Sequence, residues 1–178
     1  MPATTTHFDT LDYLRTGTPR QQQAYGVLTQ HALLDKLRAY TPLLAGTIPL
    51  AIDTEHSDLD ILCCWTHKHG FVDSIIEHFS DELQFSLQEK IIDGHETVLA
   101  TFEIDGFPVE VFGQNRPVKE QEGYRHLVIE YELLKIHGAA FRAAVIHLKK
   151  AGVKTEPAFA QVLGLEGDPY LALLDLHG

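Results

Sequence analysis

Apolar residues early in the chain recur at three- and four-residue intervals. Ala24, Val27, Leu28, Leu34 and Leu37 form one such stripe, the mark of a helix that buries one face. Ahead of it, Thr18, Pro19 and Gln21 combine a capping hydroxyl, a proline at the first helical position and a glutamine three residues after the cap. Together they predict a capping-box start. A short strand is expected around Leu43 to Gly46, then a loop, then a strand from about Leu59 to Trp65. Val72, Ile75, Ile76 and Phe79 return to the helical period and mark the buried side of a second helix.

The period then changes to two. Leu83, Phe85 and Leu87 alternate with Gln84, Ser86 and Gln88, and Val98, Ala100, Phe102 and Ile104 share a face of the next strand. Asp105-Gly106 is a strong hairpin turn into a further strand, Phe107 to Phe112. From there the pattern is helical. Tyr124, Leu127, Val128, Tyr131 and Leu134 make one stripe, and Phe141, Ala144, Val145 and Leu148 another. Thr155 is placed to cap a short helix containing Phe159, Val162 and Leu163, and Asp168-Pro169 to start the last one.

At 178 residues the chain fits one domain, or one with a small appended unit. An apolar share of 44% with 22% charged residues excludes wholesale disorder. No apolar run approaches the roughly 20 residues of a membrane span. The start "MPATTTHFDT" has neither a basic nor an apolar leader region, so a cytoplasmic protein is expected. Cys63 and Cys64 are adjacent on one strand, where neighbours point to opposite faces, and do not make a disulfide framework.

The net charge of −11 argues against a protein that wraps long nucleic acid, since neutralising phosphates needs a basic surface. The charge is uneven. Ala51 to Glu110 carries 14 acids against Lys68 and Lys90, whereas Arg116 to Lys154 carries 8 Lys or Arg against 4 Glu. An acidic half beside a basic half suits a site that holds cations and a small anion together.

The stretch "GTIPLAIDTEHSDLDI", Gly46 to Ile61, concentrates the candidate chemistry. Asp58 and Asp60, two apart on a strand, project from one face with carboxylates close enough to grip divalent cations. Gly46 lets the backbone approach a polyphosphate, and the Thr47 hydroxyl with nearby amides can hydrogen-bond it. A third acid is expected from a neighbouring strand. Glu110 in "FPVEVFG" fits, because it faces opposite to Val109 and Val111.

Gly46-Thr47, Asp58-Leu59-Asp60 and Glu110 together resemble the pattern of the nucleotidyltransferase superfamily, in its minimal, polymerase-beta-like form: a Gly-Ser pair, an Asp-x-Asp strand and a later acid. "GTIPLAI", "SDLDI", "YRHLVIE" and "KTEPAFA" further resemble an uncharacterised bacterial domain family grouped with these enzymes. The resemblance implies an α/β (α+β) fold with a mixed sheet flanked by helices. Residues 1–115 would form the core with its N-terminal helices, and residues 116–178 a C-terminal helical part packed with it as one compact unit.

It also implies Mg²⁺ (or Mn²⁺) held by Asp58, Asp60 and Glu110, with a nucleoside triphosphate (NTP) as substrate held by Gly46, Thr47 and Ser57. The implied reaction moves a nucleoside monophosphate to a hydroxyl-type acceptor on a small molecule or a protein. Thr47 replaces the usual Ser, Ala51 stands where many relatives have a second Gly, and Ile48 and Leu50 where many have polar or basic residues. The basic groups are therefore expected from the C-terminal helices, with Arg125, Lys149 and Lys154 as candidates. A reading from another class is a non-catalytic nucleotide-binding or interaction module, such as a toxin-neutralising partner that kept the fold.

Other metal chemistry is weaker. "CCWTHKH" brings Cys63, Cys64, His67 and His69 together in sequence, but without the looped spacing of a structural zinc site. His126, in "YRHLVIE", is expected either at the cleft beside Arg125 or simply hydrogen-bonded in place.

Overall fold

The computed structural model describes residues 6–176. Helices α1 (Asp12–Arg15), α2 (Pro19–Gln30) and α3 (Leu33–Lys36) lead into β1 (Leu43–Ala45) and β2 (Leu59–Cys64). After α4 (Lys68–Phe79) come β3 (Leu83–Ile92), β4 (His95–Ile104) and β5 (Phe107–Gln114). Helices α5 (Glu122–Lys150), α6 (Thr155–Leu163) and α7 (Pro169–Asp175) complete the chain. The five strands form one mixed sheet in the order β1-β2-β5-β4-β3, with β2 and β5 parallel and the other pairs antiparallel.

The start of α2 carries the full capping box, Thr18 Oγ1 accepting from the Gln21 amide while the Gln21 side chain accepts from the Thr18 amide. The helix is shorter than the apolar stripe suggests. Ala32 takes a left-handed conformation at φ 51 and resets the register, so that Leu33 rather than Leu34 is fully buried. In α4 the buried line is Phe71, Ile75 and Phe79, at intervals of four, which turns Ile76 outward to 45% exposure. Gln84, at φ 56, sits in a register shift between Leu83 and Ser86, and Leu83 is consequently exposed. Thr155 is not a cap. It is the first residue of α6, and its hydroxyl accepts from Lys149 Nζ at 2.7 Å.

Alternation along the strands divides the core between the two sheet faces. Leu59, Ile61, Cys63, Val109, Val111, Val98 and Ala100 pack with α2, α3 and α4 on one side. Leu62 joins Leu127, Leu134, Phe141, Val145 and Phe159 of the C-terminal helices in a second cluster on the other. Helix α5 breaks at Gly138, whose φ of 74 and ψ of −162 separate the two stripes seen in the sequence. Its start is tied to the sheet by Gln121 Nε2, which donates to the Cys63 carbonyl at 2.9 Å. No helix among the described residues is long and apolar enough to cross a membrane.

Candidate metal centre

Asp60 sits on the face of β2 opposite to Leu59 and Ile61, and the parallel register with β5 sets it directly across from Glu110. Asp58 lies just before β2 on the same side. One oxygen from each of Asp58, Asp60 and Glu110 falls within 4.8 Å of the others, and the three residues are half-buried. Among the described residues this is the one cluster of His, Cys, Asp or Glu gathered closely enough to hold a metal ion. Cys63, Cys64, His67 and His69 do not form one, because Cys63 is packed in the opposite core and Cys64 faces the C-terminal helices.

Gathering three carboxylates without a cation is electrostatically costly. Burial, then repulsion from Asp58 and Glu110, holds the Asp60 carboxyl well above the ordinary carboxylate range. Burial and Asp58 likewise raise Glu110, and Lys90 only partly offsets them. A divalent cation would relieve this repulsion, and the all-oxygen donor set fits a hard ion such as Mg²⁺ or Mn²⁺.

The loop after β1 is built around the same carboxylates. Gly46 has φ 80, and a β-carbon there would fall on the Asp60 carboxylate. Both the conformation and the space therefore require glycine. Ile48, Leu50 and Ile52 are buried, so the loop is anchored in the core by apolar side chains. Ala51, which stands where many relatives carry a second glycine, is left-handed at φ 54. The Thr47 hydroxyl donates to Ser57 Oγ at 3.0 Å, and Ser57 Oγ also accepts from the Thr54 amide at 2.9 Å.

Two residues that sequence reading did not assign to the site clamp this loop. Gln21 Nε2 donates to the carbonyls of Ile48 and Pro49 at 2.9 and 3.2 Å. From the other side, the Arg142 guanidinium donates to the Leu50 and Ala51 carbonyls. Gln21 had a signal of sorts, a polar residue three positions before Ala24 on the buried stripe of α2. Arg142 had none.

A cleft of about 1100 Å³ opens over the carboxylates. Its wall includes all the residues singled out from the sequence: Gly46, Thr47, Ser57, Asp58, Asp60, Glu110, Arg125, Lys149 and Lys154. They differ in availability. Arg125 is exposed and pairs with Glu122 at 3.1 Å. Lys149 is half-buried, and desolvation lowers its pKa despite the pull of Glu130, Glu156, Asp53 and Asp58. His126 is buried on the cleft wall with Nε2 3.0 Å from the Tyr170 carbonyl. A carbonyl only accepts, so Nε2 is the donor and α5 is linked to α7.

Glu130 and Glu156 also line the cleft and were not anticipated. Glu130 falls between Leu127 and Leu134 at the spacing of the buried stripe, and a charged residue on an apolar face was its signal.

Over residues 26–176 the sequence matches the family described as a domain of unknown function, DUF4269. The chain belongs to the DUF4269 family. No curated protein matches it in sequence. Solved structures do match in fold. The GLD-2/RNP-8 complex superposes with a TM-score of 0.54 at 15% identity, covering 85% of this chain and 60% of that one. The Cid1 poly(U) polymerase bound to MgGTP gives 0.54 at 14% identity, covering 81% and 47%. A variant of that polymerase bound to MgATP gives 0.56 at 14%, covering 83% and 49%. The DUF4269 chain thus spans about half to three-fifths of the length of these neighbours. They are polymerase-beta-like nucleotidyltransferases, and their mixed sheet with flanking helices is the fold seen here.

Proposed function

We propose that this protein is a metal-dependent nucleotidyltransferase, moving a nucleoside monophosphate from an NTP to a hydroxyl on a small molecule or protein. The observation that carries the reading is the convergence of Asp58, Asp60 and Glu110 in one cleft beside a glycine that admits no side chain. Fold neighbours captured with MgGTP and MgATP support it, as does a cleft of about 1100 Å³, slightly larger than the roughly 300–1,000 Å³ usual for ligand sites.

Divalent cations, when bound, would neutralise the triphosphate and stabilise the negative charge on the oxygens of the transferred phosphoryl group and the leaving pyrophosphate. Asp58 and Asp60 would hold them together with Glu110. The Gly46-Thr47 backbone and the Thr47 and Ser57 hydroxyls would cradle the phosphates, with Lys149, Lys154 and Arg125 supplying positive charge from the C-terminal helices. In the transfer the acceptor oxygen bonds to the α-phosphorus, and the bond from that phosphorus to the α–β bridging oxygen breaks. Pyrophosphate leaves with the electron pair. The hydroxyl proton would pass to Glu110, the carboxylate set across from Asp60 on the neighbouring strand, and then to solvent.

Calorimetry with ATP and GTP tests the reading. Binding should require Mg²⁺ or Mn²⁺ and be lost in Asp58→Asn. Glu110→Gln should keep nucleotide affinity within about threefold while transfer of α-phosphate label falls about 10²-fold or more. Equal binding in EDTA would contradict the assignment of this cleft.

A further inference from the structure

The acceptor side of the cleft has a charge pattern of its own, whose interpretation as an acceptor site rests on the transferase reading. Besides the triad, the wall carries Asp93, Glu122, Glu130, Glu156 and Asp168 against Arg125, Lys149 and Lys154. Arg125 is already paired with Glu122, and Lys149 donates to Thr155. Divalent cations and the triphosphate they accompany largely cancel one another, so this outer set stays negative when a nucleotide is bound.

Within it, Glu130 stands apart. It is 4% exposed, and its Oε1 has no hydrogen-bond partner among the described residues. A buried acceptor left open on a cleft wall calls for an explanation, because such atoms are paired in the great majority of cases. Lys149 and Glu156 are the charged groups that act on it. Burial, reinforced by Glu156 and only partly offset by Lys149, holds its carboxyl well above the ordinary range. The neighbouring Glu156 is acidic too, with its Oε1 3.9 Å from His126 Nδ1. A nucleobase edge offers a mixture of donors and acceptors. A wall with an open, buried carboxyl oxygen and an excess of acidic groups is complementary to a group that only donates and is positive, which an ammonium is, and its charge would favour the ionised form of Glu130.

We infer that the acceptor is a small hydroxyl compound bearing a protonated amine, whose ammonium binds against Glu130 and Glu156. Glu130 is then a specificity-determining residue: it selects a cationic acceptor and orients its hydroxyl toward the triad.

Two matched probes test this, the disaccharide of glucosamine and its di-N-acetylated counterpart. They share a sugar framework and differ in charge. By calorimetry in Mg²⁺ without nucleotide, the native protein should bind the amine at least about tenfold tighter than the acetylated sugar, as expected for a charge-assisted contact. Glu130→Gln and Glu156→Gln should each weaken the amine about tenfold while leaving the acetylated sugar unchanged. Glu156 is the more exposed of the two, so it keeps the test valid if Glu130→Gln perturbs folding. No binding of the amine, equal binding of the acetylated sugar, or native-like affinity in both variants would overturn the inference. MgATP titrated into the same samples separates the two claims. If ATP fails to bind while Glu130-dependent amine binding persists, the transferase reading falls and the ammonium site stands. If ATP binds and the amine does not, only the ammonium site falls.

Discussion

Asp60→Asn is expected to raise the stability of the metal-free protein while abolishing its response to Mg²⁺. The native carboxylate is desolvated and repelled by Asp58 and Glu110, so its ionised form is disfavoured in the folded state. The sign comes from linkage. Above the ordinary Asp value of 3.8 the unfolded chain has released a proton that the native protein still holds, so stability falls as pH rises toward the raised folded pKa. Above that point the loss is complete. An asparagine has nothing to release. The variant's advantage should therefore grow with pH from nothing near the unfolded pKa to on the order of 1 kcal/mol or more at neutral pH. Urea melts of both proteins from pH 4 to 8, in EDTA, measure it. With Mg²⁺ added the order should reverse, since the native protein gains from a ligand that binds only its folded state. Label transfer by Asp60→Asn should drop about 10³-fold or more. A variant no more stable than native at pH 7 would show that the carboxylates are well solvated.

Gly46→Ala should fail for a different reason. The added methyl meets the Asp60 carboxylate, and the backbone there is in the left-handed region. Left-handed backbone costs an alanine about 1 kcal/mol, and overpacking adds roughly 1–3 kcal/mol. The thermal midpoint should fall by roughly 4–15 °C for a chain of this size. Because Asp60 is displaced, transfer should fall at least about 10²-fold. The collision is specific to Asp60, so the double variant with Asp60→Ala should recover the overpacking part of the loss and keep the backbone part. Simple addition of the two single effects in the midpoint would contradict the contact.

Much of this arrangement was legible because it is local. The capping box at Thr18 and the Asp105-Gly106 turn need only a few consecutive residues, and so does the apolar stripe of β4. The choice of Glu110 came from strand alternation alone, and the parallel register of β2 and β5 then sets it opposite Asp60. What the sequence hid is non-local or depends on single backbone angles. The left-handed Ala32 and the irregularity at Gln84 shift burial from Leu34 to Leu33 and expose Leu83. The loop clamps join side chains to carbonyls far away in the chain, Gln21 to Ile48 and Arg142 to Leu50. Glu130 was passed over for a simpler reason: on an apolar stripe a single acid reads as noise until the cleft beside it is seen.

The central claim is that the three carboxylates hold the cations of a bound nucleotide. Crystals grown with Mn²⁺ and a non-hydrolysable ATP analogue test it through the anomalous scattering of manganese. At least one strong peak is expected, bonded to oxygens of Asp58, Asp60 and Glu110 about 2.0–2.2 Å away as for hard divalent ions, with the triphosphate running along Gly46 and Thr47. Manganese bound elsewhere with the triad free, or the nucleotide seated outside this cleft, would contradict it.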